Sequence, residues 1–211
     1  MTNPVVSLAH KFLSLPLAYD LFQRAVGSAK YIENLTVKTL AKESNFVLDL
    51  GCGTGRAISK LHDQSSYLGM DLSSDYILKA KKVETAANVT LITDSVSGNS
   101  WLKHVNTEIP VTGIARGLYH HLPDYDLNKM LENLSKRVIV GSTINSMDPV
   151  VMKDSSTLAS WVARNDRGKF LRSPNEMQKV MLQHGFSLEF AIEKRVIRLP
   201  VDVMVAQAVK I

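Results

Sequence analysis

The stretch Val47 to Ile58, VLDLGCGTGRAI, sets a carboxylate, Asp49, two residues ahead of three glycines at alternate positions, Gly51, Gly53 and Gly55. A glycine-rich turn leaving a strand lets backbone lie close against a ligand, and a helix starting there points amide N–H groups at it. The spacing is GxGxG, not the GxGxxG of dinucleotide loops. A carboxylate at this point would repel a pyrophosphate, so a cationic or amine-bearing ligand suits the charge better. Asp71 follows 22 residues later, at a strand end where a carboxylate can accept from the two hydroxyls of a ribose. Its other reading is a cap for the helix starting near Ser74. Asp94 stands after the next apolar run, placed to meet an exocyclic adenine amine with Ser95 and Val96 beside it, although TDSVSGNS is also a good polar loop. Farther on, Arg116, Tyr119, His120 and His121 collect in ARGLYHHLPD.

These residues need elements to hold them. NFVLDL is a short continuous apolar run, as expected of a strand buried on both faces of a parallel sheet. From there SYLGMD (66–71), VTLIT (89–93), VTGIA (111–115) and RVIVGS (137–142) read as strands, alternating with helical stretches near 55–63, 74–86 and 124–136. Alternation of this kind implies βαβ crossovers. Residues 17–43 read as helical with a break at Gly27 and Ser28. SPNEMQKVMLQHG carries a complete helix punctuation: Ser173 as N-cap, Pro174 in the first turn, Glu176 three residues after the cap and Gly185 as terminator. FSLEFAIEK and VDVMVAQAVK then follow without a helix between them, which predicts a closing antiparallel hairpin.

Composition limits the rest. At 211 residues and 45% hydrophobic the chain can bury one core, and one domain is expected. It divides into an N-terminal helical cap (1–43), a ligand-binding core (44–142), an insert (143–172), and a C-terminal helix and hairpin (173–211). No run is long enough to span a membrane. The N-terminus lacks a signal-peptide pattern and Cys52 is the sole cysteine, both pointing to a reducing cytoplasm. The net charge of +5 permits an anionic partner, but the basic residues are spread along the chain, which disfavours nucleic acid.

The chain resembles the class I S-adenosylmethionine-dependent methyltransferases, of the kind acting on small molecules, through VLDLGCGTG, YLGMDLSSDYI, LITDSV and GIARGLYHHLPD in that order. The resemblance runs from about Phe46 to Ser142 and more weakly to the C-terminus. It implies a Rossmann-like three-layer αβα sandwich with a mostly parallel seven-stranded sheet, ordered 3-2-1-4-5-7-6, whose seventh strand is antiparallel. It also implies S-adenosyl-L-methionine as cofactor. Asp49 and the loop Gly51, Cys52, Gly53 and Gly55 would then hold its methionine half, Asp71 and Leu72 its ribose, and Asp94, Ser95 and Val96 its adenine, with Arg116 at the same site.

Methyl transfer asks the protein to align an acceptor, exclude water and remove a proton where the acceptor carries one. The acceptor should lie at the end of the fourth strand. ARGLYHHLPD is unlike the Asn/Asp-Pro-Pro-Tyr motif associated with base and amide methylation, and a small organic acceptor is expected; RNA or protein, or a cofactor-binding scaffold without transfer, are the alternatives. His120 or His121 could be the general base, and adjacent side chains diverge, so at most one should face the pocket. Arg116 could meet an acidic group of the acceptor or pair with Asp94 or Asp124. Tyr19, Phe22 and Tyr31 could form a lid or pack in the core, and Tyr119 could touch the acceptor. The basic stretch RNDRGKFLR, with Arg164, Arg167 and Lys169, could line the acceptor pocket or be a solvated loop. The histidines show no ligand spacing, so no metal is expected.

Overall fold

The structure is a computed structural model, and it describes residues 28–40, 46–152, 155, 157, 168–194 and 201–211. Seven strands form one sheet in the order β3-β2-β1-β4-β5-β7-β6. They are β1 (Phe46–Leu50), β2 (Ser66–Asp71), β3 (Asn88–Thr93), β4 (Thr112–Arg116), β5 (Thr143–Val150), β6 (Phe186–Lys194) and β7 (Asp202–Lys210). The first five are mutually parallel, and β7 runs antiparallel to both β5 and β6. This is the Rossmann-like sheet expected, closed by the expected hairpin.

β1 is buried at every position, as a strand covered on both faces must be. One face carries Val47, Tyr67 and Ile114 against Leu40 of α1 (Ser28–Leu40) and Ile77 and Ala80 of α2 (Ser74–Ala80). The opposite face carries Leu48, Leu50, Leu68 and Met70 in the larger core. There α3 (Asp124–Arg137) buries Leu127, Met130, Leu131 and Leu134, a stripe at helical spacing. Helix α4 (Pro174–Gln183) buries Met177 and Met181 and begins with the predicted capping box between Ser173 and Glu176.

Three elements differ from the sequence reading. The stretch 137–142 is not a strand: α3 runs to Arg137, Gly141 turns the chain at φ 88°, and β5 occupies 143–150. Val138, Ile139 and Val140 have strand-like side chains but no partner strand among the described residues, whereas the polar TINSMDPV lies between β4 and β7 and is held by both ladders. Pro149 is accommodated because it lies beyond the last β4 pairing, Arg116 with Met147. The core therefore extends through Val150, into what the sequence suggested was an insert.

The helix expected near 55–63 is also absent. A series of turns leads into a 3₁₀ segment, Ile58–Lys60, closed by bonds from Ile58 N–H to Gly55 C=O and from Lys60 N–H to Ala57 C=O. Gly55 at φ 77° is incompatible with a helix start, and only ten residues separate it from β2, several of them poor helix formers. Helix α2 stops at Ala80, short of residue 86, where Thr85 Oγ1 takes the Ala87 N–H and diverts the backbone.

Candidate functional site

The glycine loop is built by its anchoring. Gly51, Gly53 and Gly55 have φ of 69°, 55° and 77°, values that side chains rarely adopt. Cys52 N–H donates to Met70 C=O at 2.8 Å, and Gly53 N–H donates to Asp71 Oδ2 at 2.9 Å, so the loop is tied to the end of β2. A Cβ on Gly53 would meet nothing within 4 Å, whereas one on Gly51 would approach Leu118 Cδ1 to 3.1 Å. The loop thus has open space on one side and leans on the turn after β4 on the other. Burial and the nearby Asp49 and Asp71 carboxylates push the Cys52 thiol far above its ordinary range, which makes it a packing residue and not a nucleophile.

Asp71 uses both oxygens: Oδ1 accepts from Ser73 N–H at 2.8 Å and Oδ2 from Gly53 N–H. The cap of α2 is Ser73, whose Oγ accepts from Tyr76 N–H, so Asp71 is not itself the cap. Each carboxylate oxygen retains a further acceptor position, and burial raises the Asp71 pKa against those two bonds. Beside it Leu72 is 73% exposed, an apolar side chain bordering the loop. Asp94 bonds Ser95 N–H at 2.7 Å and the Ser100 hydroxyl, which folds the loop after β3 on itself. Val96 is buried, and Asn133 of α3 donates to the carbonyls of Ser97 and Gly98 at 3.3 and 2.8 Å.

Asp49 is 1% exposed. Its Oδ2 accepts from the Tyr67 hydroxyl at 2.8 Å and from Arg116 Nη2 at 3.2 Å. Burial raises its pKa, while Arg116 and Tyr67 oppose that rise. Tyr67 reaches Asp49 because Gly69, Asp49's neighbour in register, has no side chain; a Cβ there would sit 2.7 Å from Tyr67 Cε1. Arg116 pairs with neither Asp94 nor Asp124, the partners the sequence suggested. It lies two residues beyond Ile114, on the face that Asp49 shares, and its Nη1 donates to Thr36 Oγ1 of α1.

The two histidines after β4 take different fates in the 3₁₀ turn Tyr119–His121. His120 is buried, with Nδ1 at 2.7 Å from Asp148 Oδ1, and its backbone N–H donates to the same oxygen at 3.1 Å. His121 is exposed, its ring centroid 4.1 Å from that of His120. Asp148 belongs to β5 and is itself buried, with Oδ2 lacking a hydrogen-bond partner. Strand alternation puts Asp148 on the face with Ile144 and Val150, opposite the Asp49 network.

The segment 168–172 lies across this turn. Gly168 rests directly on the His120 ring, and Phe170 N–H donates to His120 C=O at 3.0 Å. Arg172 donates to the carbonyls of Tyr119 and Leu122 at 2.9 and 2.7 Å and pairs with Asp124 at 2.6 Å. Tyr119, expected toward an acceptor, turns instead into the large core at 2% exposure, because Leu118, Tyr119 and Leu122 must all cover that face. Burial and the Asp148 charge push its hydroxyl pKa far up. Tyr31 packs beside Met147, Val201 and Val203, and burial with the Glu193 carboxylate raises its hydroxyl to about 12. Lys169 lines a cleft with Arg172 and Glu176. Tyr19, Phe22, Arg164 and Arg167 lie outside the described residues.

Sequence reasoning missed Tyr67, Asp148 and Asn133, and took in Arg172 only as the end of the basic stretch RNDRGKFLR. Tyr67 carried a signal in the glycine two residues after it, since a glycine inside a strand marks a close approach. Among the described residues no group of three His, Cys, Asp or Glu could hold a metal ion, and no helix is long and apolar enough to cross a membrane.

Residues 47–139 match the family model of a methyltransferase domain. No curated protein sequence matches the chain. Among solved structures, the magnesium protoporphyrin IX methyltransferase of Synechocystis PCC 6803 with bound SAH is similar with a TM-score of 0.62 and 14% identity, over 87% of this chain and 84% of that one. A methyltransferase of calicheamicin biosynthesis, in its SAH-bound form, gives 0.65 and 15%, over 97% and 61%. The plantazolicin methyltransferase, in complex with a pentazolic desmethyl analogue and SAH, gives 0.63 and 15%, over 97% and 95%.

Proposed function

We propose that the chain is a class I, S-adenosylmethionine-dependent methyltransferase, as the methyltransferase domain model matched by residues 47–139 supports, and that its acceptor is a small organic molecule with His120 as its general base. When bound, S-adenosylmethionine supplies an electrophilic methyl group on a sulfonium. The chain's part is to hold that group, orient the acceptor and take up a proton. The open space before Gly53 admits backbone contact with the methionine half, where Asp49 would face the amino group. Asp71, with acceptor positions to spare, and the exposed Leu72 would take the ribose, and the loop from Asp94 to Val96 the adenine.

The observation that carries the base assignment is the 2.7 Å contact between His120 Nδ1 and Asp148 Oδ1. An imidazole that donates its Nδ1 proton to a carboxylate is fixed in one tautomer and orientation, which leaves Nε2 as the basic nitrogen. The nearby carboxylate also stabilises the imidazolium formed once the acceptor proton has moved to Nε2. His121, exposed at the surface of the turn, is not assigned this role. The similar solved proteins act, by their descriptions, on a porphyrin, in calicheamicin biosynthesis and on plantazolicin, which favours a small-molecule acceptor.

Methyl-labelled cofactor offered to fractionated metabolites, RNA and protein tests the acceptor class: label is expected in the metabolite fraction, and label confined to RNA or protein overturns the reading. With an acceptor in hand, His120→Gln should lower kcat by about 10²–10⁴-fold while cofactor affinity holds. Wild-type turnover by that variant would remove His120 as the base.

A further inference from the structure

Four side chains from four elements meet on the face of the sheet that α1 covers. Thr36 of α1 donates to Ile32 C=O at 2.7 Å and accepts from Arg116 of β4. Arg116 contacts Asp49 of β1 at 3.2 Å, and Tyr67 of β2 bonds the same Asp49 oxygen at 2.8 Å. The Asp49 side chain is 2% exposed and that of Arg116 12%. A carboxylate this deep pays a large desolvation penalty, and it stays ionised only where a fixed cation and donors offset the loss of water.

We propose that Arg116 is a positioning residue for cofactor binding: it holds Asp49 as a carboxylate, fixed by its Oδ2, so that Asp49 can receive the ammonium group of the methionine moiety. The proposal rests on the reading of Asp49 as the partner of that ammonium. Arg116 is thereby occupied inside the protein and acts through Asp49, not by gripping the cofactor's own carboxylate. The other titratable groups facing Asp49 do not replace it. The Asp71 carboxylate acts in the opposite sense, and neither the Tyr67 phenol, held far above its ordinary range, nor the Cys52 thiol carries a positive charge.

The test compares SAH, which carries the amino acid, with adenosine, which lacks it, by calorimetry on the wild type, Arg116→Met, Arg116→Lys, Asp49→Asn and the double variant Asp49→Asn with Arg116→Met. In Arg116→Met, SAH affinity should fall about tenfold for each unit by which the Asp49 pKa comes to exceed the assay pH, with adenosine affinity unchanged. The loss should shrink as pH rises, because raising pH restores the Asp49 carboxylate. Arg116→Lys keeps the charge and should bind SAH without that pH dependence, which also covers the event that Arg116→Met does not fold. In the Asp49→Asn background, Arg116→Met should cost nothing further. A loss that persists in that background, or one independent of pH, overturns the proposal in favour of a direct grip on the cofactor. Equal loss of adenosine and SAH overturns it in favour of a general structural role. If Asp49→Asn itself leaves SAH affinity unchanged, the underlying reading of Asp49 fails, and the proposal with it.

Discussion

Tyr67→Phe removes one oxygen atom and tests the Asp49 network by stability alone. The hydroxyl is buried, donates to Asp49 Oδ2 at 2.8 Å, and leaves a ring seated over Gly69 that Phe keeps unchanged. Packing loss is therefore small, and the effect is that of a hydrogen bond to a charged, fully buried acceptor, about 1.5–3 kcal/mol. Taking about 2 kcal/mol, a chain of this length should lose about 4–8 °C in Tm. The pH dependence has a definite sign. Asp49's folded-state pKa is raised by burial, so its protonated form is the favoured one at low pH, and the stability this group contributes is lost as pH rises through that pKa. The Tyr67 bond opposes the rise by favouring the charged form, and deleting it lifts the pKa further. The difference between wild type and Tyr67→Phe should then be full where Asp49 is ionised and shrink as pH falls through Asp49's folded-state pKa, where both proteins hold a neutral Asp49. Urea unfolding over that range reads it directly. A difference below about 0.5 kcal/mol, or one flat with pH, would show that Tyr67 does not support a charged Asp49.

Ser173→Ala should cost about 1 kcal/mol, because Ser173 Oγ accepts from Glu176 N–H and donates to the Glu176 carboxylate. Its bonds to Ser173 hold the Glu176 pKa below its usual value, so the penalty should be present at neutral pH and decline as the solution is acidified through that pKa; chemical unfolding at two pH values checks it. Arg172→Ala should raise the acceptor KM several-fold with SAH affinity unchanged, since it frees the 168–172 segment from the carbonyls of Tyr119 and Leu122. Asp124→Asn should do little in the same assay, because the Asp124 side chain is 86% exposed and its ion pair is screened.

The parts of the site made from one stretch of chain were legible in the sequence. Asp49 and the glycine loop lie within a few residues of one another, and their chemistry follows from local spacing and the buried strand before them. The sheet order came from the ordered motifs, and the Ser173 capping box from a four-residue pattern. By contrast, 137–142 was misread because β-branched residues resemble a strand wherever they occur, while TINSMDPV becomes one only between two neighbours that supply its hydrogen bonds.

The pairings of charge were decided by tertiary structure. Arg116 had several carboxylates within plausible reach along the sequence, and which one it meets depends on strand register: it lies two residues past Ile114, which pairs with Asp49. Likewise His120 and His121 are equivalent as neighbours in sequence, and only the placement of Asp148 on β5, 28 residues away, separates a buried, oriented imidazole from an exposed one. The sequence by itself determined that a buried strand carrying a carboxylate would run into a glycine turn. Which side chains meet that carboxylate, and which histidine is held by an acid, depended on residues that only the folded sheet brings within hydrogen-bonding distance, because side-chain electrostatics act over a few ångströms of space and take no account of separation along the chain.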